Sequence, residues 1–392
     1  MWLKNIMQIN KEKKDLLILS LFIILISCSF LIFFDFIPFG HDGRFHLSRI
    51  SSLRDAIIIG YDFPIKIYPN YFNGIGYANG IFYPDLYLYI PAYLATLGIN
   101  VITTYKITLV ICSIATLYFM YICSKEITNS HKAGIISSFI YTLSGYRLYN
   151  MFDRAALGEL LAMCFIPLAI YGLFHILYRN KEKWHYFVIG FSSILLSHII
   201  SSVLFILFLI SFCIVSFSHI IRDYSRLRIL FASCCLVVLL VAYFYFPMIE
   251  QLVSDRFILN TQTINNDLSE STFPLYKLFI DFPLHMIPKL NISGISSIGI
   301  LSFISIIIYL YHLKHYKQNN STIFKLFCLA IFFTLPTWTL FPWKYILNII
   351  PWFSAIQFSW RFFVISVFLF SILGGYIYQC YFDNKTLVSN KI

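Results

Sequence analysis

The chain has 392 residues and a net charge of +11, with 59% hydrophobic and only 12% charged residues. A soluble domain carries about a quarter charged residues, and here the apolar residues fall in blocks that match a hydrocarbon core, about 17–25 residues each. A soluble globular domain is excluded. The spans must be helices, because lipid offers backbone groups no partner, and the short alternating segments of a membrane β-barrel are absent.

In chain order, the candidate spans are 16–34, 106–123, 133–150, 160–178, 185–197, 199–219, 227–247, 296–312, 323–341 and 361–380. The expected fold class is therefore an all-α polytopic membrane protein with about ten spans, forming one integral-membrane domain over 1–392. The stretch 185–197 is short for a span. The basic segment "KNIMQINKEKK" ahead of the first span places 1–15 inside, and the tail 381–392 is also inside. Leu25-Ile26-Ser27-Cys28 superficially fits a lipoprotein cleavage box. The apolar "SFLIFF" after it points instead to a retained signal anchor.

This arrangement can be checked by charge. Seventeen of the 29 Lys and Arg residues but six of the 18 acids fall on inside segments, so the whole excess of +11 lies there. The basic balance is a topology signal and requires no nucleic-acid partner. All nine cysteines lie in apolar segments, which argues against disulfides and CxxC metal sites. No internal repeat is visible, which weighs against a transporter built from two halves.

The first outer loop, 35–105, opens with "DFIPFGHDGRFHLSRISSLRDAI". Leu47, Ile50, Leu53, Ile57 and Ile58 recur at spacings of three and four, with Arg44, Ser48, Arg49, Ser51, Arg54 and Asp55 between them. This pattern predicts an amphipathic helix lying in the interface, its basic face toward lipid phosphates. Asp42 stands directly before it. It is either an ordinary N-cap or a catalytic acid. A second surface helix is predicted at "FYPDLYLYIPAYLATLG", with Pro84 in its first turn and Tyr83, Tyr87, Tyr89 and Tyr93 as an interfacial belt. Between the helices, "YFNGIGYANGIF" reads as a substrate rim or a linker.

Charged groups gather again at the outer ends of later spans. "YRLYNMFDRAALGELL" places Arg147, Asp153, Arg154 and Glu159 at the junction of the third and fourth spans. Ala155, Ala156 and Gly158 there leave room for another element. Arg154 reads equally as half of a structural ion pair or as a site residue. His198, beside Ser197 and Ser201, suits a helix-end hydrogen bonder or a ligand. The second long outer loop, 248–295, carries Arg256, Asp267, Glu270, Asp281 and Lys289 and is positioned to cover a site. In the last outer segment Lys344 and Arg361 stand among Trp352, Phe353, Phe358 and Trp360. Arginine grips phosphate bidentately, so Arg361 reads as a phosphate clamp or as an interfacial anchor.

Five blocks, "GHDGRFHLSRI", "GYANGIFYPDLYLYIPA", "YRLYNMFDRAALGELLAMCFIPLAIYG", "LLSHIISS" and "IQFSWRFF", occur in an order that resembles the GT-C superfamily of membrane glycosyltransferases. Within it, the chain is most similar to bacterial membrane proteins labelled "6-pyruvoyl-tetrahydropterin synthase-related". The blocks cover about residues 40–370. One departure is Ser359, where the resemblance leads one to expect proline before the tryptophan. The resemblance implies a GT-C-like fold with two juxtamembrane helices after the first span. It implies transfer of a sugar, with inversion, from a polyprenyl-phosphate donor to a glycan or glycolipid hydroxyl of the cell envelope, such as O-antigen. The site would face outward from a bacterial cytoplasmic membrane.

In that chemistry Asp42 would be the general base. His41, Arg44, Asp85, Arg154, Glu159, His198, Lys344 and Arg361 would bind substrate. Some members of the superfamily use a divalent cation and others none; here Asp42, Glu159 and His198 would hold Mg or Mn. A lipid or glycolipid transporter, or a non-catalytic partner in envelope-polymer assembly, is the alternative.

Overall fold

The computed structural model describes residues 40–254, 267–279, 297–315 and 320–383, together with six positions between 14 and 22. The first predicted span and its Cys28 motif therefore lie almost wholly outside the described residues, as do Arg256, Asp281 and Lys289.

Among the described residues the chain is helical, with two isolated β-bridges. Two helices follow the start of the first outer loop: α1, Gly43–Ile59, and α2, Tyr89–Thr96. They pack on each other and on the N-terminal half of α3, Val101–Thr128. Asn100 caps α3 by accepting from the Ile102 N–H at 2.8 Å. Asn129, at φ 56°, ends it in the left-handed conformation that asparagine tolerates. Ser130 then caps α4, His131–Thr142. Two capping residues thus make a tight helical hairpin.

Next comes α5, Leu157–Tyr178, apolar on every face and almost entirely buried. A helix hydrophobic all round belongs at the centre, and α5 packs on α3 and on α6, Trp184–Leu195. At the α5–α6 crossing a Cβ on Gly172 would strike the Phe187 backbone nitrogen, and one on Gly190 would strike the Ala169 nitrogen. Small residues let helices approach this closely where lipid supplies no hydrophobic drive. The chain continues through α7, Ile199–Val215, the short α8, Phe217–Arg222, and α9, Tyr224–Ser254. The predicted second outer loop, 248–295, is corrected at its start, since α9 runs on to Ser254; later in the chain come α10, Ile300–His315, α11, Ser321–Thr334, α12, Trp343–Ile349, and α13, Phe363–Tyr378. The second central helix is α13, packed by α4, α10 and α11.

Among the described residues four helical stretches are long and apolar enough to cross a membrane: Val101–Thr128, Leu157–Tyr178, Tyr224–Ser254 and Ser359–Phe382. One of them, α9, is as apolar as α5 yet exposes Phe231, Leu239, Phe246 and Val253. An apolar surface of that size does not face water. Composition and structure therefore agree on an all-α membrane protein. Five further apolar helices among the described residues are shorter than a full span.

The predicted span 133–150 is corrected: α4 stops at Thr142. Ser144 is extended, and residues 145–153 form one helical turn and a π-helical segment. At 1.5 Å per residue, α4 is about 18 Å long.

The surface-helix reading of α1 is also corrected. Its buried face carries Gly43, His46, Arg49, Ile50, Leu53 and Ala56, whereas Ile58 is exposed. Arg49, predicted to meet lipid phosphate, is buried because Asp85 offers it a carboxylate inside. Of the predicted tyrosine belt, Tyr93 faces outward. Tyr83 packs over Arg49, Tyr87 donates to Ser193 Oγ, and Tyr89 accepts from the Ile65 N–H.

Candidate functional site

The segment that replaces the end of the predicted third span builds the site. Its π-helical turn ends at Asp153, and Ala155 adopts φ 56°. That reversal folds Arg154 back over the first turn of α5. Arg154 Nη1 donates to Glu159 Oε2 at 2.9 Å and to Asn150 Oδ1 at 2.7 Å. Tyr146 donates to the other Glu159 oxygen. Glu159 therefore has both oxygens engaged and is 1% exposed.

Asp42 reaches the same arginine. Its carboxylate lies 3.4 Å from Arg154 Nη2, and its backbone N–H donates to the Arg154 carbonyl at 2.9 Å. It stands at the N-cap position of α1, but its side chain caps nothing. The carboxylate is instead 39% exposed beside Arg154, whose side chain is 5% exposed. The capping reading of Asp42 is thus not what the geometry shows. Burial alone would lower the Arg154 pKa, and Glu159, Tyr146 and Asp42 more than reverse it.

Arg361 comes from the end of the last outer segment. Its guanidinium and that of Arg154 both lie against the Trp360 indole, at 5.9 and 4.6 Å from the ring centre. Arg361 is 6% exposed, and among the described residues its guanidinium makes one hydrogen bond, to the Ile356 carbonyl at 3.3 Å. Among the described residues its Nε has no partner and it forms no ion pair. A buried guanidinium without a carboxylate is costly.

Tyr83 joins these groups. Burial raises its hydroxyl to about 12, and Arg49, Asp42, Arg361 and Glu159 all act on it. A Cβ on Gly158 would collide with the Tyr83 oxygen, so the predicted close approach at Gly158 is made by Tyr83. His198, in the turn between α6 and α7, accepts the Ser201 N–H through Nδ1. Burial pushes its imidazole down to about 3; Glu159 opposes this, while Arg361, Arg154 and Arg49 add to it. His46, also buried, is held low in the same way, with Arg49, His198 and Arg154 acting on it.

The structure thus brings together Asp42, Arg154, Glu159, His198 and Arg361. Asp85 is not in that group: Arg49 and Tyr68 take its two oxygens, making a second buried pair behind Tyr83. His41 and Arg44 are exposed at the start of α1. Lys344 is exposed on α12, where its charge acts on Asp267. Arg147 turns away toward Ser113 and Thr116 of α3.

The suggested metal ligands do not suit a divalent cation. Glu159 has no free oxygen, His198 Nδ1 is an acceptor for α7, and Asp42 is held against an arginine. Among the described residues no three His, Cys, Asp or Glu groups converge on one point.

Sequence reasoning missed Tyr146, Asn150 and Tyr83. Asn150 had a local signal, four residues before Arg154; the others are brought in by folding.

No family model matches the chain. It is similar to an uncharacterized protein of Lactococcus lactis subsp. cremoris (strain MG1363), 25% identical over 324 residues, 78% of this chain. The chain spans about half the length of that curated relative.

Proposed function

We propose that the protein is a GT-C-type glycosyltransferase of a bacterial cytoplasmic membrane, with about ten spans and its site on the outer face. It moves a sugar from a polyprenyl phosphate to a hydroxyl of an envelope glycan or glycolipid. The observation that carries this reading is Arg361. A guanidinium that is buried, has an Nε without a partner among the described residues, lies against aromatic rings and shares Trp360 with the arginine that holds Asp42 is equipped for a phosphate that arrives with substrate.

In this mechanism the acceptor hydroxyl gives its proton to Asp42. Its oxygen attacks the anomeric carbon through an oxocarbenium-like state. The bond from that carbon to the phosphate oxygen breaks, and the electron pair leaves with the lipid phosphate. Arg361 stabilises the charge that develops there. Arg154 is committed to Glu159 and holds Asp42 in place through its side chain and its carbonyl. Glu159, His198 and Asn150 support that placement and do not touch substrate.

The test uses purified protein and undecaprenyl phosphate. Wild type and Asp42→Asn should bind it, Arg361→Gln should not, and undecaprenol should bind to none. With polyprenyl-phosphate sugars, Asp42→Asn should lose transfer. Binding by Arg361→Gln equal to wild type removes the phosphate role. Lipid binding by the wild type without turnover of any polyprenyl-phosphate sugar favours a non-catalytic assembly partner.

A further inference from the structure

At the far end of α5, about 25 Å from Glu159 at helical rise, a second feature has no part in the chemistry above. Arg226 donates there to the carbonyls of Ile176 and Arg179, fixing the start of α9 to the end of α5. α7 packs on α13, α6, α5 and α11, and α9 packs on α6 and α5. The two diverge from the short α8, and the wedge between them is a groove of about 380 Å³. Leu209, Cys213, Phe217, Ile220, Tyr224 and Cys234 line it, and nearly all of its lining is apolar. The volume falls in the range of small-molecule sites, about 300–1,000 Å³.

The mouth of this groove is cationic. Arg222 closes α8, directly between the lining residues Ile221 and Tyr224. Lys325 stands on α11. Burial first, and then the charges of Lys325, Arg222 and Arg226, hold the His219 imidazole low, so all three cations act on that ring. Arg226 and Lys181 are satisfied by Asp223. Among the described residues Arg222 and Lys325 form no ion pair. An apolar slot opening onto uncompensated cations at a membrane end complements a lipid with a negative headgroup.

We propose that this groove is a binding site for an anionic phospholipid, one acyl chain lying between α7 and α9 and the headgroup phosphate resting on Arg222 and Lys325. The site is independent of the donor site and does not rest on the glycosyltransferase reading.

The test is lipid retention by native mass spectrometry, after delipidation and return to nanodiscs of equimolar phosphatidylglycerol and phosphatidylcholine. Wild type should keep phosphatidylglycerol preferentially. The double variant Arg222→Gln/Lys325→Gln should lower that preference about tenfold or more. Cys213→Trp, which fills the groove, should lower retention of both lipids. Inorganic phosphate should not compete. Unchanged preference in the double variant overturns the proposal. So does unchanged retention in folded Cys213→Trp, which would mean headgroup contact without a groove. Displacement by inorganic phosphate overturns it in favour of a free-anion site. If Cys213→Trp does not fold, the double variant alone decides.

Discussion

Two carboxylates share Arg154, and their environments assign them different work. Glu159 is buried with both oxygens occupied, so Glu159→Gln leaves Arg154 facing only the longer contact to Asp42. Breaking a buried pair costs about 3–5 kcal/mol, and thermal unfolding in detergent should show a loss of that order. Asp42 is partly exposed and makes the weaker ion pair. Asp42→Asn should cost about 0–1 kcal/mol while ending transfer. A variant ranking in the opposite order would place the structural role on Asp42. Buried His198 sets a pH dependence. Unfolded, His198 takes up a proton near pH 6.5; folded, only near 3. Between these values the unfolded state binds more protons, so the stability contributed is complete above about pH 6.5 and is lost as pH falls toward 3. His46 acts in the same direction. The midpoint of unfolding should drop from pH 7 to pH 5, and His198→Gln should shrink that drop.

At the scale of elements, the last outer segment explains the residue that departs from the expected pattern. Ser359 donates its backbone N–H to Ser271 Oγ at 2.7 Å and its hydroxyl to the Ser271 carbonyl at 2.6 Å. Phe273 and Thr337–Thr339 pair beside it. Ser271 and Phe273 are thereby pinned next to Arg361. Phe358 is extended, as a residue before proline would be. The backbone thus accepts Ser359→Pro, but proline has neither the N–H nor the hydroxyl. The substitution should cost about 1–3 kcal/mol for two lost hydrogen bonds, and hydrogen exchange should rise at 268–273 while α13 stays protected.

Elements were legible in the sequence where their own composition decides them. α5, α9 and α13 announce themselves as long apolar runs, and Asp42 and Arg361 stand out as charges at span ends. What the sequence hid was long-range. The Arg154–Glu159 pair depends on a left-handed Ala155. Arg49 is buried because an acid 36 positions later meets it. Tyr83 enters the site because Gly158, on another helix, has no side chain. Lys344 carried the same signal as Arg361, and only the fold separates them.

Across the whole molecule the charged groups form two layers. One holds Asp42, Arg154, Glu159 and Arg361. The other holds Glu126, Arg179, Lys181, Asp223 and Arg226, with Arg179 donating to Glu126 at 2.8 Å and Lys181 to Asp223 at 2.9 Å. Between them α5 and α13 are almost wholly apolar, and α9 turns bare hydrocarbon outward. Such a body fits a bilayer in one of two senses, and the distribution of Lys and Arg supports the proposed one, with the second layer inside. Asp153 is exposed in the first layer and Glu182 in the second, and neither contributes to the site. In a variant whose native cysteines are replaced, Asp153→Cys should react with a membrane-impermeant maleimide on intact cells, and Glu182→Cys only after permeabilisation. The reverse result would turn the Asp42 layer toward the cytosol. The proposed phosphate role of Arg361 would survive that inversion, but a donor presented in the outer leaflet would not, because Arg361 would then stand a full membrane thickness from such a headgroup.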